Sequence, residues 1–550
     1  TQAKTLFPYT TLFRSLSQMV LGPPQLSLAA IAALARAGAV ARAWELFSAN
    51  HAASTGSVAA QAVLGRLLKA QARLAPVGEA PRRYAEAADA YAMADAREPA
   101  PYLLINAASM ALLAGDAPRA QEWARTVLAR LDAPGQIDDT PYFLAATRAE
   151  ALLLLGNRAG AEAAMVQAVA ADPTGWDDRA VTITQLGDLC RALGLDERWL
   201  DRFRPPAALH FAGHMGLACS GAGEARLAGQ IDEMLAQAPV GFAFGALAAG
   251  TDLIVAEKVL AQGGELHAVL PAPLADFRRQ SVSPAGADWA RRFDAVCAQA
   301  TSLQVVGPPS IGPHDPRATA LAAEVAIGGS LATARRYATT ARQWVVLDES
   351  GGGANSAAQA ARWPRPETRQ IFTLAREGAG ASAFPAEIND PGRHDRVVLA
   401  LRADMAALGE LPPSGELARM HAVVAGALPA GADGPIRAGA WDVLLADNAG
   451  AATTALAALA AARAAGIALS AGLARGLVSV AGGGAGPAIA AGAPLALAER
   501  LALRAPAGVA LADGLFAATS ALAETAEWQV QPYLADEPEL GGTAWLLERF

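Results

Sequence analysis

Residues 82–131 read RRYAEAADAYAMADAREPAPYLLINAASMALLAGDAPRAQEWARTVLARL. Small residues return at helical spacing, first Ala85 and Ala88, then Ala107, Ala108 and Ala111. Such positions let two helices approach closely in a hairpin. Leu113-Ala114-Gly115-Asp116 turns the chain, and Ala120 and Ala124 begin the return helix. The pattern recurs downstream. Pro141-Tyr142 echoes Pro101-Tyr102, Leu155-Gly156-Asn157 echoes Ala114-Gly115-Asp116, and Asp172-Pro173 closes a helix. About three to five hairpins are expected over residues 20–205. One hairpin cannot bury its apolar face alone, so the units stack.

The totals bound the rest. At 550 residues, three or four domains are expected. A net charge of -8 argues against a nucleic-acid surface. Cys190, Cys219 and Cys297 are far apart and form no CxxC, which fits a reducing, cytoplasmic setting. No His/Cys spacing matches a zinc motif. The uncharged run Gly476–Ala498 holds six Gly and two Pro, so it reads as buried strand and loop with no membrane span. Residues 5–15, TLFPYTTLFRS, resemble the translation of a sequencing adapter. Residues 1–15 are therefore expected to be a non-native tail, which leaves the true N-terminus open.

From Ala207 the period changes. The apolar runs ALHFAGHM, VGFAFGAL, ELHAVLP, SLQVVGPP, QWVVLDES and RQIFTLAR alternate with helical stretches. This predicts a doubly wound parallel sheet over 206–376. A Gly/Ala/Pro-rich linker spans 377–394. Residues 395–550 alternate strands and helices in another order, which predicts an α+β sandwich on a ferredoxin-like βαββαβ core. Within it, IRAGAWDVLLAD is expected to form two strands around a turn.

The sharpest chemical segment is Phe244–Glu257, FGALAAGTDLIVAE. A strand ends, Gly245 and Gly250 turn the chain, and a helix starts near Asp252. Backbone N–H groups at such a start can hold phosphate or a ribose hydroxyl. Asp252 serves equally as an N-cap. Glu257 lies five residues on, off the Asp252 face. No Ser or Cys stands beside an evident base, so a hydrolase or transferase ranks last.

Three resemblances follow. The hairpins over 20–205 resemble tetratricopeptide repeats, which implies a docking surface for a protein partner. The stretch from Gly250-Thr251-Asp252 to Ala256-Glu257, with Gly213-His214-Met215 and Gly328-Gly329, resembles a Rossmann-like domain of bacterial signalling proteins. That resemblance implies a nucleotide ligand, with His214 near a strand end where it can touch it. The last domain is similar to class III adenylate/guanylate cyclases. By that likeness Asp404 and Asp442 fall on the two metal positions, for Mg or Mn, and Arg500 on the transition-state arginine. The departures are as informative. Ala407-Leu408 replaces the phosphate-turn Gly-Phe, Asp442 lacks both flanking glycines, and Ala496 and Ala493 replace the Asn and the adenine-reading residue. No Lys follows position 395. The resemblance thus implies a degenerate cyclase-like domain, homodimeric as the family generally is, in an intracellular signalling protein; the alternative is a non-catalytic nucleotide sensor and interaction scaffold.

Overall fold

The computed structural model describes residues 28–36, 39–51, 56–135, 139–216, 221–309, 314–349, 353–374, 390, 392–405, 413–429, 439–481, 489–523, 527–540 and 542–549. The adapter-like tail, most of the linker, Cys219, Ala407 and Leu408 lie outside the described residues.

Nine helices open the described chain: α1 (Leu28–Arg36), α2 (Val40–His51), α3 (Val58–Leu74), α4 (Ala80–Arg97), α5 (Pro101–Leu113), α6 (Ala117–Asp132), α7 (Pro141–Leu154), α8 (Arg158–Ala171) and α9 (Trp176–Ala192). Local chemistry sets their ends. Gly115 and Gly156 take φ of 93° and 79° after α5 and α7, a left-handed stop that favours glycine. The side chains of Asp116, Thr140 and Asn157 then accept the N–H of Arg119, Phe143 and Gly160, capping α6, α7 and α8. Buried alanines at the crossings, including Ala87, Ala107, Ala111, Ala149 and Ala161, join one core from α3 to α9. Helices α1 and α2 take another course. Ile31, Leu34 and Phe47 share a core with Leu534 and Leu546 at the far end of the chain.

The second module is a six-stranded parallel sheet in the order β4-β3-β2-β1-β5-β6. Its strands are β1 (Ala207–Gly213), β2 (Val240–Gly245), β3 (Glu265–Leu270), β4 (Ser302–Val305), β5 (Ala341–Asp348) and β6 (Arg369–Leu374). All six expected runs form strands. They are linked by α10 (Gly221–Gln237), α11 (Thr251–Ala261), α12 (Ala287–Gln299), α13 (Pro316–Arg336) and α14 (Ala354–Arg362). The long return helix α13 carries buried residues around much of its circumference, among them Leu321, Ala322, Ala323, Val325 and Ile327. A helix apolar all round is covered all round, and α13 indeed lies between two modules.

The third module is a seven-stranded mixed sheet, ordered β12-β13-β11-β9-β7-β8 with β10 beside β9. It contains β7 (Arg393–Ala403), α15 (Ser414–Ala425), β8 (Ala440–Leu445), α16 (Asn448–Ala464), β9 (Leu469–Ala481), β10 (Ile489–Ala491), α17 (Ala493–Arg504), β11 (Ala510–Ala512), α18 (Gly514–Ser520), β12 (Trp528–Glu537) and β13 (Gly542–Arg549). Strand β7 pairs antiparallel with both β8 and β9, the central arrangement of a ferredoxin-like core. Of the expected 436–447 hairpin only β8 is described; residues 430–438 lie outside. Odd residues of β7 (Val397, Leu399, Leu401) join α15, α16 and α18. Even residues (Val398, Ala400) join α17 and the α1–α3 helices. Among the described residues no helix is long and apolar enough to cross a membrane.

Candidate functional sites

In the parallel sheet the strand order reverses between β1 and β5, and open α/β sheets bind ligands in the crevice outside that point. Gly213 ends β1 there. The His214 N–H donates to Val346 O at 3.3 Å. Gly353, left-handed at φ 93°, starts α14 opposite: a Cβ on it would stand 3.2 Å from His214 Nδ1. The other glycines are spacing requirements. A Cβ on Gly213 would fall 2.2 Å from Thr251 Cβ, and one on Gly245 2.7 Å from Phe211 O. Gly250, at φ 98°, is the N-cap of α11. That removes the N-cap role for Asp252, which is the second residue of the helix.

Asp252 is instead a buried tie. Its Oδ2 accepts the Ala248 N–H at 3.2 Å, and Gly213 N–H also serves the carboxyl. Burial pushes its pKa up to about 8, so it keeps its proton at neutral pH. Oδ1 and the neighbouring Thr251 Oγ1 are buried without a hydrogen-bond partner among the described residues. Glu257 is not in this group. Arg292 of α12 grips it through two bonds of 2.8 and 2.6 Å and reaches Glu224 of α10 at 2.7 Å. In the structure Glu257 is part of a clamp between α10, α11 and α12.

One pair escaped the sequence reading. Ser281 Oγ lies 2.8 Å from His314 Nε2 across a gap of 33 residues. Nothing in local spacing signals such a pairing. The expectation that no Ser has a base beside it is corrected, but Ser281 is only 2% exposed and Phe277 stacks on the His314 ring. The pair fastens the loop before α13 to the π-helical turn Arg278–Val282 and is not an open nucleophile.

In the mixed sheet, register decides the metal question. Ala440 pairs with Arg402, and Asp442 with Ala400. Asp404, four residues past Ala400, is therefore about 13 Å from Asp442 along the strand. Two-metal sites hold ions about 4 Å apart, bridged by shared carboxylates. Asp442 is also engaged: Arg402 donates to it at 2.9 Å and lies 3.3 Å from Glu499. These residues do not fit a pair of divalent ions. Arg500 donates to Glu539 O at 2.7 Å. Ala493 and Ala496 occupy the start of α17. Asp404 thus follows the end of β7, Asp442 stands on β8 and Arg500 on α17. No grouping of three or more metal-ligating side chains occurs among the described residues.

A cavity of about 380 Å³ lies between the two sheets, against Val306, Gly307, Arg393, Gly476, Ala493 and Asp513. In the array, a polar network crosses the first helix of successive hairpins. Lys69 Nζ donates to Asn106 at 3.4 Å, Gln185 Nε2 to Glu150 at 3.0 Å, and Ser109 binds the same Glu150 oxygen. Arg73 reaches both Gln185 and Asp188. Burial lowers the Lys69 pKa to about 7 and raises that of Glu150. The spacing of Arg66, Lys69 and Arg73 on one helical face was the available signal.

No family model and no curated protein matches the chain. Among solved structures, a thermophilic tetratricopeptide repeat protein of Thermus thermophilus is 24% identical, covering 32% of this chain and 88% of its own (TM-score 0.25). The guanylyl cyclase domain of a rhodopsin fusion protein from Blastocladiella emersonii is 14% identical, covering 29% and 98% (TM-score 0.23). The adenylyl cyclase CyaB of P. aeruginosa is 16% identical, covering 29% and 94% (TM-score 0.22). These are partial likenesses at low score.

Proposed function

We propose that this chain is a signalling scaffold whose cyclase-shaped domain has kept its sheet and lost its chemistry. The observation that carries the reading is the β7–β8 register, which separates Asp404 from Asp442 and leaves Asp442 on Arg402. Losing the metal pair removes the main means of stabilising charge on a transferring phosphoryl group, and Ala496 removes a polar contact besides. The repeat array supplies the surface for a protein partner. The test is cyclic AMP and cyclic GMP formation by the full chain with ATP or GTP and Mn²⁺. We expect no product above an Asp404→Ala control; product that disappears in the control overturns the reading.

A second part of the proposal is nucleotide binding at the β1/β5 crevice. Its support is the His214–Gly353 mouth at the reversal of strand order, with the helix start at Thr251 beside it. Thermal unfolding of the full chain against a nucleotide panel should show an upward shift for one base class, weakened by Gly353→Val. A flat response to every nucleotide removes this part and leaves the scaffold.

A further inference from the structure

Helices α1 and α2 rest on the β12–β13 edge of the mixed sheet through apolar side chains, with Ile31, Leu34 and Phe47 in one cluster with Leu534, Ala544 and Leu546. One half-buried acid stands in that contact. Glu548 of β13 accepts the backbone N–H of Arg42 at 3.2 Å. The Arg42 guanidinium binds Glu45 at 3.0 Å and bears on Glu548 only as a nearby positive charge. We propose that the α1–α2 hairpin is a proton-sensitive cap on the C-terminal sheet, closed when Glu548 is protonated and loosened when it ionises.

The surroundings explain the direction. From α2, Glu548 faces Arg42 and the like-charged Glu45. From the α3–α4 corner it faces Gln71, Glu79 and Arg83 across a cavity of about 250 Å³. From its own sheet it faces Gln529, its register partner, and Arg549. Tyr533 on the same sheet is half-buried near Arg42 and Arg504, and Arg504 pairs with Glu537 at 3.3 Å. A carboxylate here gains one backbone N–H and a nearby guanidinium, but loses water and meets a second acid.

Burial, opposed by the Arg42 N–H and guanidinium and reinforced by Glu45, raises the Glu548 pKa from 4.5 to about 7. The closed state therefore holds the proton more tightly than the open one. Its contribution to closure is complete below about pH 4.5 and is lost as pH rises through about 7. The linkage makes the cap roughly tenfold more closed at pH 6 than at pH 8. Loosening exposes the apolar side chains of both surfaces, so the device controls access to the sheet edge. It does not depend on the reading of the cyclase-shaped domain.

Hydrogen exchange of the full chain at about pH 6 and about pH 8, corrected for intrinsic rates, tests it. Amides of α1, α2 and β13 should be roughly tenfold better protected at the lower pH, while those of α5–α8 stay level. Glu548→Gln should hold the cap closed at both values. Glu45→Gln, which removes only the like charge, should move the midpoint to lower pH and serves if Glu548→Gln fails to fold. Equal protection of the wild type at both values overturns the proposal, and so does an unchanged pH step in either variant.

Discussion

The C-terminal sheet is held on two sides by contacts of unlike physics. On one side α13 of the parallel-sheet module lies against α18 so closely that a Cβ on Gly328 would fall 1.9 Å from Ala518 O. Arg475 ties the same junction to Glu324 at 2.7 Å and Asp395 at 2.6 Å, with side-chain exposures of 13, 18 and 24%. On the other side α2 meets β13 through apolar residues, one backbone bond to Glu548 and the outlying Glu45–Arg463 pair at 3.5 Å. Backbone-to-backbone approach and a shielded charge pair leave little to adjust. A half-buried acid that can gain or lose a proton leaves more. The two sheets are therefore expected to move as one body, with the α1–α2 hairpin, under the proposal above, as an attached part that solution conditions can move.

The largest effect expected from breaking this contrast is at Arg475. Arg475→Met removes the cation from two shielded carboxylates, and loss of one partner in such a network costs about 3 kcal/mol or more. The junction should open, so hydrogen exchange should accelerate in α13 and α18 together while the α1–α2 protection stays near its wild-type value. If α1–α2 loosens as much as α13 does, the two contacts are not independent and the contrast fails.

The parts of this arrangement differ in how far the sequence shows them, for physical reasons. The central parallel strands were legible because strands covered on both faces must be near-continuous apolar runs, as in ALHFAGHM and QWVVLDES, whereas the edge strand β4 is exposed along its length. The hairpins over α5–α8 were legible because left-handed turns favour Gly and the following caps require a side-chain acceptor, at Gly115-Asp116 and Gly156-Asn157. The site was read less well. Asp442 looked like a metal ligand because composition shows that an acid is present, while pairing shows where it stands, and a shift of two residues along β8 keeps every side chain on its face. Trp441, buried next to His421, fits β8 against α15, and no local pattern encodes that fit. Glu257 and Arg292 are likewise distant in sequence. The junctions were illegible altogether. Helices α1 and α2 carry the same Ala/Leu pattern as the repeats, and only the partner they cover sets them apart.

A smaller effect sharpens the contrast at single atoms. Gly328 and Gly229 are both helical glycines, in α13 and α10. A methyl on Gly328 enters the α18 backbone, whereas one on Gly229 meets nothing within 4 Å. Gly328→Ala should cost about 1–3 kcal/mol through forced separation of the helices. Gly229→Ala should gain about 0.5–1 kcal/mol, because alanine restricts the unfolded chain and suits the helix. The opposite signs should appear as opposite shifts in thermal unfolding, and the Gly328 variant alone should speed exchange in α18. Gly329 bounds the interpretation, because its methyl would press on the Phe244 ring at 2.9 Å, inside the parallel-sheet module. Gly329→Ala should destabilise that module without separating it from α18. If both neighbours loosen α18 equally, α13 moves as a rigid rod and the junction is held by its charges, not by the approach of two backbones.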